Sequence, residues 1–189
     1  MIPILKKGNV SLEKLEFLFV RSFYILRDTR DLIRRCSGSL RELHLVSALS
    51  SNPSSTLDHS PDDISLSSLR GIRRLYCESL ALPDIIHILS TLPRPSTLTH
   101  LQLSISLRNL DVDNLAWRDL DAMLTSPAFP ALCCVSFDLW YVLEDEFVRN
   151  LRAGKGWLRG CFGREIVRYG GDYESFNDMY VVSSALIVY

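Results

Sequence analysis

A six-residue pattern, Leu-x-x-Leu-x-Leu with other apolar residues tolerated, recurs five times and limits what this chain can fold into. Its copies are Leu12-Glu-Lys-Leu15-Glu-Phe17, Leu40-Arg-Glu-Leu43-His-Leu45, Ile72-Arg-Arg-Leu75-Tyr-Cys77, Leu98-Thr-His-Leu101-Gln-Leu103 and Leu132-Cys-Cys-Val135-Ser-Phe137. Successive copies start 28, 32, 26 and 34 residues apart. The fourth and sixth positions are two residues apart, so on a strand both side chains point the same way. The first position precedes the strand and turns inward with them. One such unit cannot bury its own apolar side, whereas stacked units share one continuous core.

The intervals between hexads carry helical spacing. Ile25, Thr29, Leu32, Ile33 and Cys36 form one stripe, and Ile85, Ile88, Leu89 and Leu92 a second. The second follows Pro83, suited to a first helical turn, and stops before Pro93 and Pro95. Trp117, Leu120 and Leu124 form a third, with Asp113 or Asn114 as a cap and Pro127 as a stop. Phe147, Val148 and Leu151 form a fourth, ending near Gly154. Alternating strand and helix at this period predicts an α/β leucine-rich-repeat solenoid of irregular repeats, a curved parallel sheet with helices on its convex side. A single domain over 1–189 is expected, with repeats over about 11–155 and an irregular carboxy-terminal cap over about 156–189. The Ser-, Pro- and Asp-rich stretch 47–63 reads as a flexible loop.

Composition narrows the function. With 21 Lys and Arg against 22 Asp and Glu, the net charge is −1. This argues against nucleic acid or an anionic membrane as partner, since both need a clustered positive field. Arg27, Arg30, Arg34 and Arg35 do cluster, but Asp28 and Asp31 interleave with them, as on a solvated helix face. The five cysteines have neither disulfide-framework nor zinc spacing. Free thiols, a start too short in apolar residues for a secretory signal, and no stretch near the ~20 residues of a membrane span point to cytosol or nucleus.

Readings as an enzyme find little support. A doubly wound α/β domain would carry a Gly-rich loop after its first strand, where this chain has Val20-Arg-Ser-Phe-Tyr24. Gly154-Lys155-Gly156 lacks the remaining phosphate-loop residues and reads as a helix-ending turn. Cys133 and Cys134 are tied by no motif to a histidine or acid and read as packing or surface residues. His44, His59, His87 and His100 show no metal-ligand spacing. No catalytic residue, cofactor or metal is expected.

Three segments carry a family resemblance: Leu32-Ile-Arg-Arg-Cys-Ser-Gly-Ser-Leu40-Arg-Glu-Leu43, Trp117-Arg-Asp-Leu120-Asp-Ala-Met-Leu124, and Phe129-Pro-Ala-Leu132-Cys-Cys-Val135-Ser-Phe137. Over roughly residues 11–170 the chain resembles the F-box and leucine-rich-repeat proteins of mushroom-forming fungi. The resemblance implies a protein-binding scaffold, the substrate-recognition part of a ubiquitin-ligase component. A Skp1-type adaptor is implied as partner only if an F-box lies upstream, because that motif is missing here. The runner-up is a leucine-rich-repeat adaptor or structural scaffold unrelated to ubiquitin, and an α/β enzyme comes third.

Residues between the buried leucines should line the concave face in lateral rows. Lys14, Glu42, Arg74, His100 and Cys134 make one row, and Glu16, His44, Tyr76, Gln102 and Ser136 the next. The candidate partner-binding residues are Glu16, His44, Tyr76, Gln102 and Ser136, with Arg74, because Tyr and His offer the amphipathic area that binding hot spots use. The first strand, Leu15-Glu-Phe-Leu-Phe-Val20, is apolar at nearly every position. It reads as an interior strand lacking a neighbour, so further repeats are expected before it, or a partner over its edge, and the chain alone should self-associate.

Overall fold

The computed structural model describes residues 12–21, 27–46, 65–106, 114–140, 158–169 and 185–188. The loop expected at 47–63, the stripe at Phe147, Val148 and Leu151, and the Gly154-Lys155-Gly156 turn lie outside the described residues.

The chain is α/β with an all-parallel sheet. Strands β1 (Phe17–Arg21), β2 (Glu42–Val46), β3 (Arg74–Glu78), β4 (His100–Ser106) and β5 (Cys134–Trp140) stand side by side in chain order. Short β6 (Val167–Tyr169) pairs with β5, and β7 (Ala185–Val188) crosses to the far edge to pair with β1. The sheet order is therefore β6-β5-β4-β3-β2-β1-β7, every pair parallel. Of the segment expected to cap the carboxy-terminal end, 158–169 lies at that end and 185–188 at the other. The edge of β1 is thus taken by a strand of its own chain, which removes the unpaired edge on which self-association of the intact chain was expected.

Between the strands run helices α1 (Arg27–Cys36), α2 (Leu82–Ser90), α3 (Asn114–Thr125) and the short α4 (Arg159–Gly163). Three of them fall on the apolar stripes read from spacing. Pro83 sits in the first turn of α2, where its missing N–H would have no intrahelical partner. The buried helix residues Leu32, Ile33, Ile85, Leu89, Trp117 and Leu120 join the inward strand residues in one core.

Register corrects the first repeat. Leu18, not Leu15, aligns with Leu43, Leu75, Leu101 and Val135. The working hexad is Leu15-Glu-Phe-Leu18-Phe-Val20, three residues later than the copy beginning at Leu12, which lies in a single 3-10 turn over Leu12–Lys14. Backbone hydrogen bonds mark the same frame. The carbonyl of Glu16 accepts from the amides of Arg41 and Glu42, that of Arg41 from Arg73 and Arg74, that of Arg73 from Thr99 and His100, and that of Thr99 from Cys133 and Cys134. The second position of each hexad thus joins to positions two and three of the next, and Glu16 is a second-position residue. Hydroxyls add a further stitch. Ser39 Oγ donates to the Leu15 carbonyl at 2.7 Å and Thr97 Oγ1 to the Ile72 carbonyl at 2.7 Å, each from the residue before a hexad to the first position of the preceding one.

The carboxy-terminal side is fastened by one carboxylate. Asp121 on α3 accepts from the amides of Gly160 and Cys161, both at 2.8 Å, which satisfies donors that the start of α4 leaves over. Arg164 returns the contact, donating to the carbonyls of Leu124 at 3.1 Å and Leu132 at 3.3 Å. Replacing Asp121 with Ala leaves two amides without their acceptor and should cost about 1–3 kcal/mol. A urea melt of D121A with an unchanged midpoint would show that α4 does not depend on this clasp.

Candidate functional site

The sheet has one face packed on helices and one opposite. Leu18, Leu43, Leu45, Leu75, Leu101 and Val135 point to the helices and are at most 1% exposed. Alternation then sends Phe17, Glu42, Arg74, His100 and Cys134 to the opposite face as one lateral row. Phe19, His44, Tyr76, Gln102 and Ser136 form the next.

The amino-terminal half of this face is a ring cluster centred on His44. Its imidazole meets Phe17 edge-on, with centroids 4.8 Å apart at 67°, and Tyr76 at 4.9 Å and 41°. Phe19 lies at 6.0 Å on the same ring. Lateral strand spacing of about 4.8 Å brings Phe19, His44 and Tyr76 together at equivalent positions, and Phe17 reaches His44 diagonally from the neighbouring row. Packed this way, His44 is only 5% exposed, while Phe19 and Tyr76 remain half-buried.

Charge frames the rings. Glu42 Oε1 lies 2.9 Å from His44 Nε2, and Glu42 Oε2 lies 3.6 Å from Arg74. A buried imidazole needs such a partner, because unpaired polar atoms out of water cost free energy. Tyr76 donates its hydroxyl to Glu78 Oε2 at 3.3 Å, which holds the phenol ring along its strand. The result is an ordered strip of aromatic area bounded by Glu42, Arg74 and Glu78, able to take an apolar or aromatic group with polar contacts at its rim.

Of the residues expected to bind, His44, Tyr76 and Arg74 come together here, and Gln102 and Ser136 continue the same row on β4 and β5. Glu16 does not belong to it. As a second-position residue it precedes β1, is exposed, and uses its carbonyl to hold β2. Phe19 takes its place in the row, and Phe17 replaces Lys14 in the neighbouring one. The sequence offered this frame too, since Leu15-x-x-Leu18-x-Val20 fits the hexad as well as the earlier frame does, but pattern alone does not choose between them. Lys14 lies in the 3-10 turn before β1, so of Lys14, Glu42 and Arg74 in the expected row only Glu42 and Arg74 are register partners.

Among the described residues, no group of three His, Cys, Asp or Glu side chains is placed to hold a metal, and no helix is long and apolar enough to cross a membrane. Burial pushes the Cys36 thiol up to about 11 and the Cys77 thiol to about 12. The Cys161 thiol rises further still, through burial and then the nearby Asp121 carboxylate. These three thiols stay protonated near neutral pH and act as small apolar core residues. Set against protein-family models, curated proteins and solved structures, the chain matches none of them.

Proposed function

We propose that this chain is a non-catalytic protein-binding scaffold, built as a leucine-rich-repeat solenoid, that holds a protein partner on the sheet face opposite its helices. The observation that carries the reading is the lateral alignment of Phe19, His44 and Tyr76, in register across three successive repeats. Rigid aromatic residues framed by charge are the composition that binding hot spots favour, and Gln102 and Ser136 extend the surface with polar groups. The chain-order parallel strands and the hydrogen-bond frame repeated at every hexad support the solenoid, because each unit then touches mainly its neighbours.

The resemblance to F-box and leucine-rich-repeat proteins gives the role its content: substrate recognition in a ubiquitin ligase, with a Skp1-type adaptor engaged through an F-box on the intact protein. Five cysteines without a disulfide agree with work in the cytosol or nucleus. Tagged full-length protein should retain both a Skp1-type adaptor and a second, stable partner on affinity capture. Tyr76→Ala should weaken the second partner at least tenfold and leave the adaptor bound. Loss of neither would refute the binding face. Retention of the partner without any adaptor would instead make the chain a scaffold outside ubiquitin transfer.

A further inference from the structure

Arg41, Arg70, Arg73 and Arg74 come together at the edge of the sheet where β2 and β3 begin. Arg41 and Arg73 are second-position residues of successive hexads, and the Arg41 carbonyl accepts from the amides of Arg73 at 2.8 Å and Arg74 at 3.0 Å. Arg70 opens the turn Arg70-Gly71-Ile72-Arg73 that leads into β3. Arg41, Arg70 and Arg73 are exposed, and the Arg74 side chain is 36% exposed. Among the described residues, of these four only Arg74 meets a carboxylate, that of Glu42 at 3.6 Å.

The cluster is seated rather than loose. Arg41 Nη1 donates to the Gly71 carbonyl at 3.1 Å, which lays the Arg41 guanidinium over the turn that carries Arg70 and Arg73. A Cβ on Gly71 would land on that guanidinium, so the glycine makes the close approach possible. The next repeat holds the same turn from its other side. Thr97 Oγ1 donates to the Ile72 carbonyl at 2.7 Å and Thr99 Oγ1 to the Arg73 carbonyl at 2.9 Å. A backbone fixed in this way lowers the ordering cost of any ligand that the arginines take. Only one of the five Arg41 donors is used at the Gly71 carbonyl, and the others are left to meet an anion.

We propose that this edge binds an acidic segment of the protein partner, whose Asp and Glu carboxylates accept from the guanidinium groups of Arg41, Arg70 and Arg73. Planar guanidinium forks match carboxylates two bonds at a time, and charge-assisted bonds of this kind are the strong ones. The extent of the patch selects the occupant. Along the second-position row the residues are Glu16, Arg41, Arg73, Thr99 and Cys133, so positive charge spans two repeats and is bounded by Glu16 on one side. A nucleic-acid backbone needs a longer positive track, whereas a short run of carboxylates fits this one. Arg74 joins the edge to the aromatic strip, since it follows Arg73 and also rims Tyr76 and His44 through Glu42. The inference rests on the reading of that face as a protein-binding surface and gives the partner its chemistry.

The test is fluorescence anisotropy of a labelled octaglutamate peptide with the full-length chain at low ionic strength. Binding should saturate, and it should weaken as salt is added. Arg41→Ala combined with Arg73→Ala should weaken it by about tenfold or more. Arg34→Ala combined with Arg35→Ala removes the same charge from α1 and should change it by less than about twofold. Gly71→Ala should weaken binding and leave the urea midpoint in place, because the added methyl displaces only the end of the Arg41 side chain. Tyr76→Ala should leave the peptide bound, which tells a failed aromatic strip from a failed arginine edge. Equal losses from the two arginine pairs, tighter binding of a single-stranded oligonucleotide of equal charge, or no saturable binding would each overturn the proposal.

Discussion

Replacing Leu43 with Ala should lower the free energy of unfolding by about 2–5 kcal/mol, the range for emptying a well-packed core position. Leu43 is fully buried, with Leu18 and Leu75 as its register partners on either side. Truncation therefore opens a cavity shared by three repeats, and the flanking strands, each held by the second-position hydrogen bonds, have little freedom to close it. Leu101→Ala should behave alike, being 1% exposed between Leu75 and Val135. On the opposite face, half-buried Gln102 cut to Ala should cost only about 0.5 kcal/mol. Glu42 does not join it as a silent position. Its side chain is 14% exposed and serves both His44 and Arg74, so E42A removes a carboxylate contact from a buried imidazole and should cost about 1–3 kcal/mol. Urea melts of the four variants check the order, and equal losses for L43A and Q102A would contradict the assigned faces.

Deleting residues 185–189 should make the chain associate more strongly with rising concentration. β7 is what lies beside β1 on the side away from β2, with Phe17 to Val20 paired to Ala185 to Val188. Without it, β1 presents an unpaired row of amides and carbonyls carrying Phe17, Leu18, Phe19 and Val20, a template for another strand. Phe19→Lys in the shortened chain should restore the monomer, because a charge on an edge strand opposes pairing with a second copy. Sedimentation velocity over a wide concentration range reads both effects. A shortened chain that remains monomeric throughout would mean that β7 contributes nothing to edge protection. Self-association of the intact chain, which the strand's apolar sequence taken alone suggests, would have to run through the outer edge of β7 and not through β1.

Four of the five hexads could be placed from spacing alone. Leu40, Ile72, Leu98 and Leu132 each open a unit whose fourth and sixth positions are buried, and Leu43, Leu75, Leu101 and Val135 align as expected. Burial on one face imposes a period of two on a strand, and that period is written locally. Three helices were legible as apolar stripes at helical spacing, two of them with proline stops. The first hexad was not, because two frames three residues apart, Leu12-Leu15-Phe17 and Leu15-Leu18-Val20, satisfy one apolar pattern. Local pattern is blind to that choice. It was settled by the Glu16 carbonyl receiving the amides of Arg41 and Glu42, a contact between repeats. The same shift put Phe17 and Phe19 beside His44 and removed Glu16 from the candidate site.

The pairing of β7 with β1 lay beyond the sequence in a different way. Ala185-Leu-Ile-Val188 could be read as a strand, but nothing in it names a neighbour 168 residues earlier. The adjacency of His100 and Cys134, by contrast, follows from their equivalent hexad positions, although 34 residues separate them. The sequence by itself determined which residues face the core, because burial acts on each strand through its own alternation. Tertiary structure decided the first frame, the ring cluster around His44 and the strand closing the β1 edge, because backbone hydrogen bonds are completed between whichever strands the folded sheet brings side by side.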